Sequence, residues 1–315
     1  MKKALIIGHT GQDGTYLSRI LSKKKYAVAG YSGKNAISFS GKKISTINIL
    51  HPDKVEKLIL KTKPEQVYFL AAVHQSSSDK HVDEGDLFRK SIELNFIALV
   101  NFLDAIRKHS IRTRIFYAAS SHVFGNPGKK IQDEQTVLAP DSIYGTTKTA
   151  GIHACRYYRQ RHGVFASVGI FYNHESPLRS SKFVSKKIVE AGVAIKLKKQ
   201  SKLTLGDLNA KIDWGYAPDY MDAASRIMLL KKPGEFIVSS GEQHTVKEFV
   251  RGVFDYLGLD WKKYVTEQPG LITKKLQNNL FGDHSKLKSE TKWKPAVSFQ
   301  QLIRVMTDNE LAKYE

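Results

Sequence analysis

The chain has 315 residues, room for one large α/β domain with a smaller lobe, and its 41% apolar and 25% charged residues are ordinary for a folded globular protein. No apolar run approaches the ~18 residues of a membrane span, and the short apolar start runs into a Gly-rich turn where a signal peptide would carry a cleavage site. Cys155 is the single cysteine, which excludes an intrachain disulfide and a Cys-based metal cluster; a cytoplasmic protein without a membrane partner is expected.

In chain order, Ala4-Leu5-Ile6-Ile7 reads as a buried strand, followed by a helix from about Gly14 to Lys24 and a second strand over 26–30. A third strand covers 67–72. Ile92, Leu94, Phe96, Leu99, Phe102, Leu103 and Ile106 fall at helical spacing and predict a helix over 91–109. Strands follow at 114–119 and 165–171. Continuous apolar strands separated by helices mean a parallel sheet covered on both faces, a doubly wound α/β fold of Rossmann type. Beyond 173 the pattern is less regular, with helices expected at 182–193, 217–230 and 246–257 and an isolated strand at Phe236-Ile237-Val238. This divides the chain into a dinucleotide-binding domain over 1–172 and, over 173–315, mainly a smaller C-terminal α/β substrate lobe, some of whose segments return to the sheet.

Gly8-His9-Thr10-Gly11-Gln12-Asp13-Gly14 closes the first strand and opens the first helix. Glycines there let backbone N–H groups approach a pyrophosphate at the helix N-terminus, so Gly8, Thr10, Gly11, Gln12, Asp13 and Gly14 are candidate cofactor contacts. At the end of the second strand, Tyr31-Ser32-Gly33-Lys34 holds no acidic residue for a free ribose hydroxyl and no Arg for a phosphate. Ser32 and Lys34 could meet a 2′-phosphate, which leans the cofactor toward NADP over NAD. Tyr144 and Lys148 stand four residues apart, one helical turn, some twenty residues after Ser120-Ser121 at a strand end. An ammonium beside a phenol can lower its pKa, so that Tyr144 could take a proton from a sugar hydroxyl as hydride leaves the carbon, while Lys148 holds the nicotinamide ribose. The Gly-rich turn, strand-end serine and YxxxK together resemble the extended short-chain dehydrogenase/reductases.

Three stretches are similar to a narrower family: GHTGQDGTYL at the start, NHESPLRSSKFVSKKI at 173–188 and LGDLNAKIDWGYAPDY at 205–220 resemble GDP-mannose 4,6-dehydratases. The likeness spans nearly the whole chain. It implies a tightly held NADP that oxidises C4 of a GDP-linked sugar, loss of water across C5 and C6, and return of the hydride to C6. By position, Tyr144 matches the C4 base, Lys148 its partner and Ser120 the hydroxyl beside the sugar. Asn48, Leu70, Ala71 and Ala72 fall along the implied cofactor site. Ser121, His74, Asn173, Glu175, Lys187 and Lys274 fall along the implied substrate site, and Asp219 lies in a matching block as a less direct contact.

The chain also departs from that family. Where its motif reads approximately S-T-S-E-L-Y-G, with Glu removing the C5 proton, this sequence has Ala119-Ser-Ser-His122-Val-Phe-Gly125. An imidazole could be that base and its imidazolium the acid, since its ordinary pKa is about 6.5. Otherwise dehydration is lost or altered and C4 redox chemistry alone is left. Ile212 replaces the Arg of the RDWGHA block and Thr273-Lys274-Lys275-Leu276 replaces Arg-Pro-x-Glu, so Ile212 and Leu276 cannot make the charged hydrogen bonds of the family's clamp on the nucleoside diphosphate, while Lys274 or Lys275 could still meet a phosphate. The family's Arg-Arg-Ser run after the second strand is missing too, which favours a homodimer, through the helices at 91–109 and 143–160, over a tetramer. His9, His74, His81 and His174 have no metal-ligand spacing, and no metal is expected. Cys155 reads as a small buried hydrophobe.

Fifty Lys and Arg against thirty Asp and Glu give a net charge of +20, spread in doublets such as Lys42-Lys43, Lys186-Lys187 and Lys231-Lys232. No aromatic-interleaved basic helix or zinc-finger spacing accompanies them, so they read as a solvated surface that favours capture of a small anion, with no nucleic-acid partner expected. A non-catalytic nucleotide- or polyanion-binding protein is the alternative of another class.

Overall fold

The structure, a computed structural model, describes residues 1–33, 35–73, 83–268 and 280–315. Lys34, His74 and Lys274, expected at the cofactor and substrate, lie outside the described residues.

The first half alternates strands and helices: β1 (Lys3–Ile7), α1 (Gln12–Lys23), β2 (Ala27–Tyr31), β3 (Ala36–Ile37), β4 (Lys43–Ile44), α2 (Pro52–Thr62), β5 (Gln66–Phe69), α3 (Glu84–Ile92), α4 (Ala98–His109), β6 (Arg114–Ser120), α5 (Ile143–His162) and β7 (Ala166–Phe171). The second half holds β8 (Asn173–Glu175), α6 (Val184–Lys196), β9 (Leu203–Leu205), β10 (Lys211–Ile212), β11 (Trp214–Tyr216), α7 (Ala217–Ile227), β12 (Glu235–Val238), β13 (His244–Thr245), α8 (Val246–Tyr256), β14 (Val265–Glu267), α9 (Ser285–Thr291) and α10 (Phe299–Leu311). The main sheet runs β12-β7-β6-β5-β1-β2-β3-β4, parallel from β12 to β2, with β3 and β4 antiparallel at the edge. The chain moves outward from β1 to β2 and then returns to β5 on β1's other side. Ligands of such sheets bind at the strand C-termini beside that switch.

Alternation along the strands builds two layers. Leu5, Ile7, Val67, Phe69, Ile115 and Tyr117 pack with the buried residues of α2, α4 and α5, among them Leu58, Phe102 and Ile152. Ala4, Ile6, Tyr68 and Phe116 face the opposite way, onto Leu17 of α1 and Tyr220, Met221 and Ala224 of α7. A separate core of Trp214, Phe249, Val253, Phe299 and Met306 joins α6, α8 and α10.

Three expectations are corrected. Phe236-Ile237-Val238 is no isolated strand: it is β12, in parallel register with β7, and α7 beside it lies on α1. The helix expected over 91–109 is α4 preceded by a wide turn at Glu93–Ile97, whose amides bond five residues back, and by α3. The third strand also ends at Phe69, so Leu70-Ala71-Ala72 leave the sheet to line the cleft beside Gly8.

Candidate active site

Gly8 leaves β1 with φ +94°, a region that favours glycine, and its N–H donates to the Tyr31 carbonyl at 2.7 Å. Its α-carbon lies so close to the Ala71 backbone that a Cβ would collide there. At Gly14 a Cβ would run into the Gly8 carbonyl and His9, so α1 rests directly on the turn. Gly11 caps α1 with extended backbone and no side-chain cap; its N–H donates to the Gly8 carbonyl at 3.1 Å, and a Cβ added there would meet that carbonyl at 3.4 Å. The first-turn N–H groups are thus left for a ligand anion, and the cradle fits a dinucleotide pyrophosphate. Ser32 and Asn48 have local partners: the Ser32 hydroxyl donates to the Asn35 carbonyl at 3.0 Å, and Asn48 Oδ1 accepts from Leu50 N at 3.0 Å.

The same helix terminus carries an ion pair absent from the sequence expectations. His174 Nε2 lies 3.1 Å from both carboxylate oxygens of Asp13, and its Nδ1 lies 2.8 Å from the Tyr172 carbonyl. Both neighbours are acceptors, so both ring nitrogens must carry protons and the imidazole is an imidazolium. Burial opposes that charge, and Asp13 outweighs it: the His174 pKa is raised and the Asp13 pKa lowered. Gln12 closes the group, donating to the His174 carbonyl at 3.1 Å and accepting from Ser176 at 2.7 Å. The ring stacks on Tyr220 at 4.8 Å. Residues 161 positions apart are thereby tied together, which no local spacing announces.

Ser120, the last residue of β6, opens a single 3₁₀ turn over Ser121–Phe124, in which Ser121 is buried. Ser142 caps α5 by accepting from Gly145 N at 3.1 Å, and this places Tyr144 in the first turn with Lys148 one turn further on. Ser120 lies beside the Tyr144 phenol and favours its ionised form. Lys148, 1% exposed, donates to the Ala118 carbonyl at 2.8 Å and lies 5.6 Å over the Tyr144 ring. His122 stands in the same turn, its ring edge-on to Tyr144 at 5.9 Å between centroids. Ser120, His122, Tyr144 and Lys148 therefore converge on one wall of the cleft.

Their charge states differ from expectation. Burial pushes the Tyr144 phenol up, reinforced by the Asp13 carboxylate, so the phenol is protonated and the ammonium does not lower it in this state. Burial likewise pushes Lys148 down to about 7, opposed by Asp13. The unfolded chain would hold that proton to about pH 10.4, so folding below pH 7 buries a charge and the cost fades as pH rises toward 10. Lys148→Met should raise the stability of the cofactor-free protein by about 2 kcal/mol at pH 6, about 4 from the relieved charge less about 2 for the orphaned carbonyl. Thermal melts across pH 6 to 10 check this: the gain should shrink with rising pH.

Asn95, in the wide turn before α4, carries no signal in the sequence pattern. Its carboxamide accepts from Val73 N at 2.9 Å and donates to Thr147 Oγ1 at 3.0 Å, and its carbonyl accepts from the Tyr117 hydroxyl at 3.0 Å. It thus braces the loop after β5 against the helix turn between Tyr144 and Lys148. Asn95→Ala would leave the half-buried Val73 N–H without its acceptor, while the Thr147 hydroxyl keeps the Tyr144 carbonyl at 3.0 Å, and should cost about 1–2 kcal/mol in urea unfolding. The KM for cofactor should rise more than kcat falls, because the loop is displaced and the reacting groups are left in place.

On the substrate side, Asn173 is exposed on β8. Lys187 is exposed on α6 and donates to the Thr204 carbonyl at 3.2 Å. Glu175, expected at the substrate, is buried instead: it accepts from Ser185 at 2.6 Å and pairs with Arg179 at 3.1 Å, bracing the wall. Asp219 accepts from Ala296 N and Val297 N at 2.8 and 3.0 Å, a structural clamp on the segment before α10. Asp213, beside Ile212, was also missed; burial pushes it up to about 7, and Ser240 donates to one of its oxygens by N–H and hydroxyl. Cys155 is buried and its thiol pushed up to about 12, fitting a core side chain.

A Rossmann-type sheet with a Gly-rich turn after β1 and Ser-Tyr-Lys at the ends of β6 and α5 is the architecture of an extended short-chain dehydrogenase/reductase. Within that class the chain belongs to the GDP-mannose 4,6-dehydratase family, whose model matches residues 5–306. It is 37% identical to GDP-mannose 4,6 dehydratase 2 of Arabidopsis thaliana over 100% of this chain and 88% of that one. It is 30% identical to the human GDP-mannose 4,6 dehydratase over 96% and 90%. Among solved structures, RMD from Pseudomonas aeruginosa complexed with NADPH superposes with TM-score 0.83 at 19% identity over 99% of this chain and 100% of that one. UDP-glucose 4-epimerase of Thermotoga maritima, with UDP-glucose, gives 0.84 at 17% over 99% and 100%. At such identities these two likenesses speak for the fold.

Proposed function

We propose that the protein is an NAD(P)-dependent oxidoreductase acting at C4 of a GDP-linked hexose or heptose, with dehydration lost or altered. The observation that carries this is the meeting of Ser120, Tyr144 and Lys148 on one wall with His122, where the family has Glu, against the Tyr144 ring. A bound oxidised nicotinamide dinucleotide supplies the hydride acceptor and a positive charge. Ser120 orients the C4 hydroxyl, and Tyr144, once its own proton has passed to solvent and with Lys148 supporting the phenolate, takes the hydroxyl proton. The neighbouring Asp13 carboxylate is neutralised by His174, which keeps the helix terminus open to a pyrophosphate. The dinucleotide is held tightly, and NADP is favoured over NAD by the lack of an acidic residue at Ser32-Gly33.

In the second reading His122 is the C5 base of a true 4,6-dehydratase, favoured by its place beside Tyr144. Mass spectrometry after incubation with GDP-mannose and GDP-manno-heptose separates them: a product lighter by two hydrogens, with reduced cofactor absorbance, supports oxidation alone, and one lighter by water supports dehydration. No change with either sugar would point to a different nucleotide or to a reductase awaiting a 4-keto sugar; no cofactor reduction with any nucleotide sugar would support the non-catalytic alternative, against which the complete trio stands.

In the same reading the protein is a homodimer. An apolar depression between α4 and α5, lined by Phe96, Val100, Ala150, Ala154 and Tyr157, offers a self-complementary face, with Ile97 and Tyr157 exposed beside it. Sedimentation equilibrium should give twice the chain mass. Among the described residues, no helix is long and apolar enough to cross a membrane, and the proposed place of the enzyme is the cytoplasm.

A further inference from the structure

The parallel order sends the C-terminal ends of the strands to the cleft and gathers the N-terminal ends of β12, β7, β6, β5, β1 and β2 on the opposite edge. The segments entering those strands are Met1–Lys3, Lys23–Lys25, Lys61–Glu65, Ile111–Arg112, Arg161–Gly163 and Leu229–Lys232. Hydrogen bonds join them into one surface: Thr113 Oγ1 donates to the Pro64 carbonyl at 2.5 Å, Lys3 N to Glu65 at 2.5 Å, and Arg114 Nη1 to the Leu230 carbonyl at 2.9 Å. Lys24 reaches Ser225 of α7 at 2.6 Å.

All the lysines of these segments, with Arg112 and Arg161, are exposed. Against them stand the exposed Glu65, engaged by the Lys3 N–H, and Asp222, paired with Lys24 at 3.0 Å. Topology thus gathers Lys231-Lys232, one of the doublets spread along the chain, with Lys2-Lys3 and Lys23-Lys24-Lys25 on the face away from the cleft. Apolar tips rise from the same basic turns: Met1 is 87% exposed, Ile111 48% and Leu229 56%.

We infer that this edge docks on the surface of an anionic lipid bilayer. Lysines on short turns would lie within a Debye length of the headgroups, and Met1, Ile111 and Leu229 would enter the headgroup boundary, the two signals that together hold a peripheral protein. Nucleic acid is the poorer fit. The edge is made of turns, with no helix to enter a groove, and its aromatic rings Tyr26 and Phe165 are half-buried, Phe165 under the Arg114 guanidinium at 4.3 Å. Bound this way, the protein would turn its cleft to the solvent from which a nucleotide sugar arrives.

Co-sedimentation with phosphatidylcholine vesicles, with and without phosphatidylglycerol, tests the inference. Binding should be about tenfold or more stronger on the anionic vesicles and should fall with added salt. Reversing Lys2, Lys25, Lys231 and Lys232 to Glu should remove about tenfold or more of it, whereas reversing Lys198, Lys202, Lys262 and Lys263 on the substrate lobe, the same change in net charge, should remove less than about threefold. Ile111→Ser with Leu229→Ser should weaken binding severalfold without altering the salt dependence. Equal loss from the two charge sets, indifference to phosphatidylglycerol, or tighter binding to duplex DNA or single-stranded RNA at the same salt would overturn it. Unchanged melting temperatures of the variants show that folding is not the cause.

Discussion

Tyr144→Phe should leave the protein folded and able to bind nucleotide sugar within about threefold, yet lower kcat by about a thousandfold or more, because general acid–base catalysis of this kind contributes 10²–10⁴ and neither Ser120 nor Lys148 replaces the phenol. Ser120 is a hydroxyl of higher intrinsic pKa, and the Lys148 ammonium is turned to the Ala118 carbonyl at 2.8 Å. The phenol is protonated in the free protein because it is buried and faces Asp13. Its proton must therefore be drawn off within the assembled complex, and the pH profile of the wild type should carry an ionisation that the Tyr144→Phe variant lacks. Cofactor reduction at saturating sugar and isothermal titration measure the two sides. Turnover above about a tenth of wild type would take Tyr144 out of the proton transfer.

His122→Glu should restore loss of water, by about 10–100-fold in the rate of the dehydrated product, if the imidazole stands where the family's base belonged. Its turn is anchored: Gly145 of α5 has the His122 carbonyl against its α-carbon, and His122 N lies 3.4 Å from Ser120 Oγ. A longer carboxylate at this position thus projects from unchanged backbone toward the space beside Tyr144. If His122 is itself the C5 base, the same change should give little gain in dehydration or a loss, while oxidation at C4 continues. Mass spectrometry of the nucleotide sugar reads both outcomes in one experiment.

Those two substitutions probe residues that are legible in the linear sequence, and the reason is that their signals are local. A glycine turn after an apolar strand, a serine at a strand end and a Tyr-Lys pair one helical turn apart each need only a few consecutive residues, since φ > 0, side-chain alternation and the 3.6-residue period are properties of short segments. Family likeness added roles to the same positions. It also proposed Glu175 as a substrate contact, and there the residue type was right for a ligand while burial beside Ser185 and Arg179 had already committed the carboxylate. Some elements escaped because their apolar content is thin: α2 buries Val55, Leu58 and Ile59 among Lys and Glu, and β3 and β4 are two residues each.

Short stretches of residues suffice for the doubly wound fold, the Gly-rich cradle after β1 and the Ser120, His122, Tyr144, Lys148 set, because each is written within one strand, turn or helix. Long-range packing, by contrast, pairs His174 with Asp13, braces the loop after β5 against α5 through Asn95, completes the main sheet with β12, and brings lysines and arginines from six separate segments to one edge. These features depend on which strand lies beside which, and on how far burial moves a charge. Strand order and desolvation arise from the packing of the whole chain, so no short stretch of residues carries them.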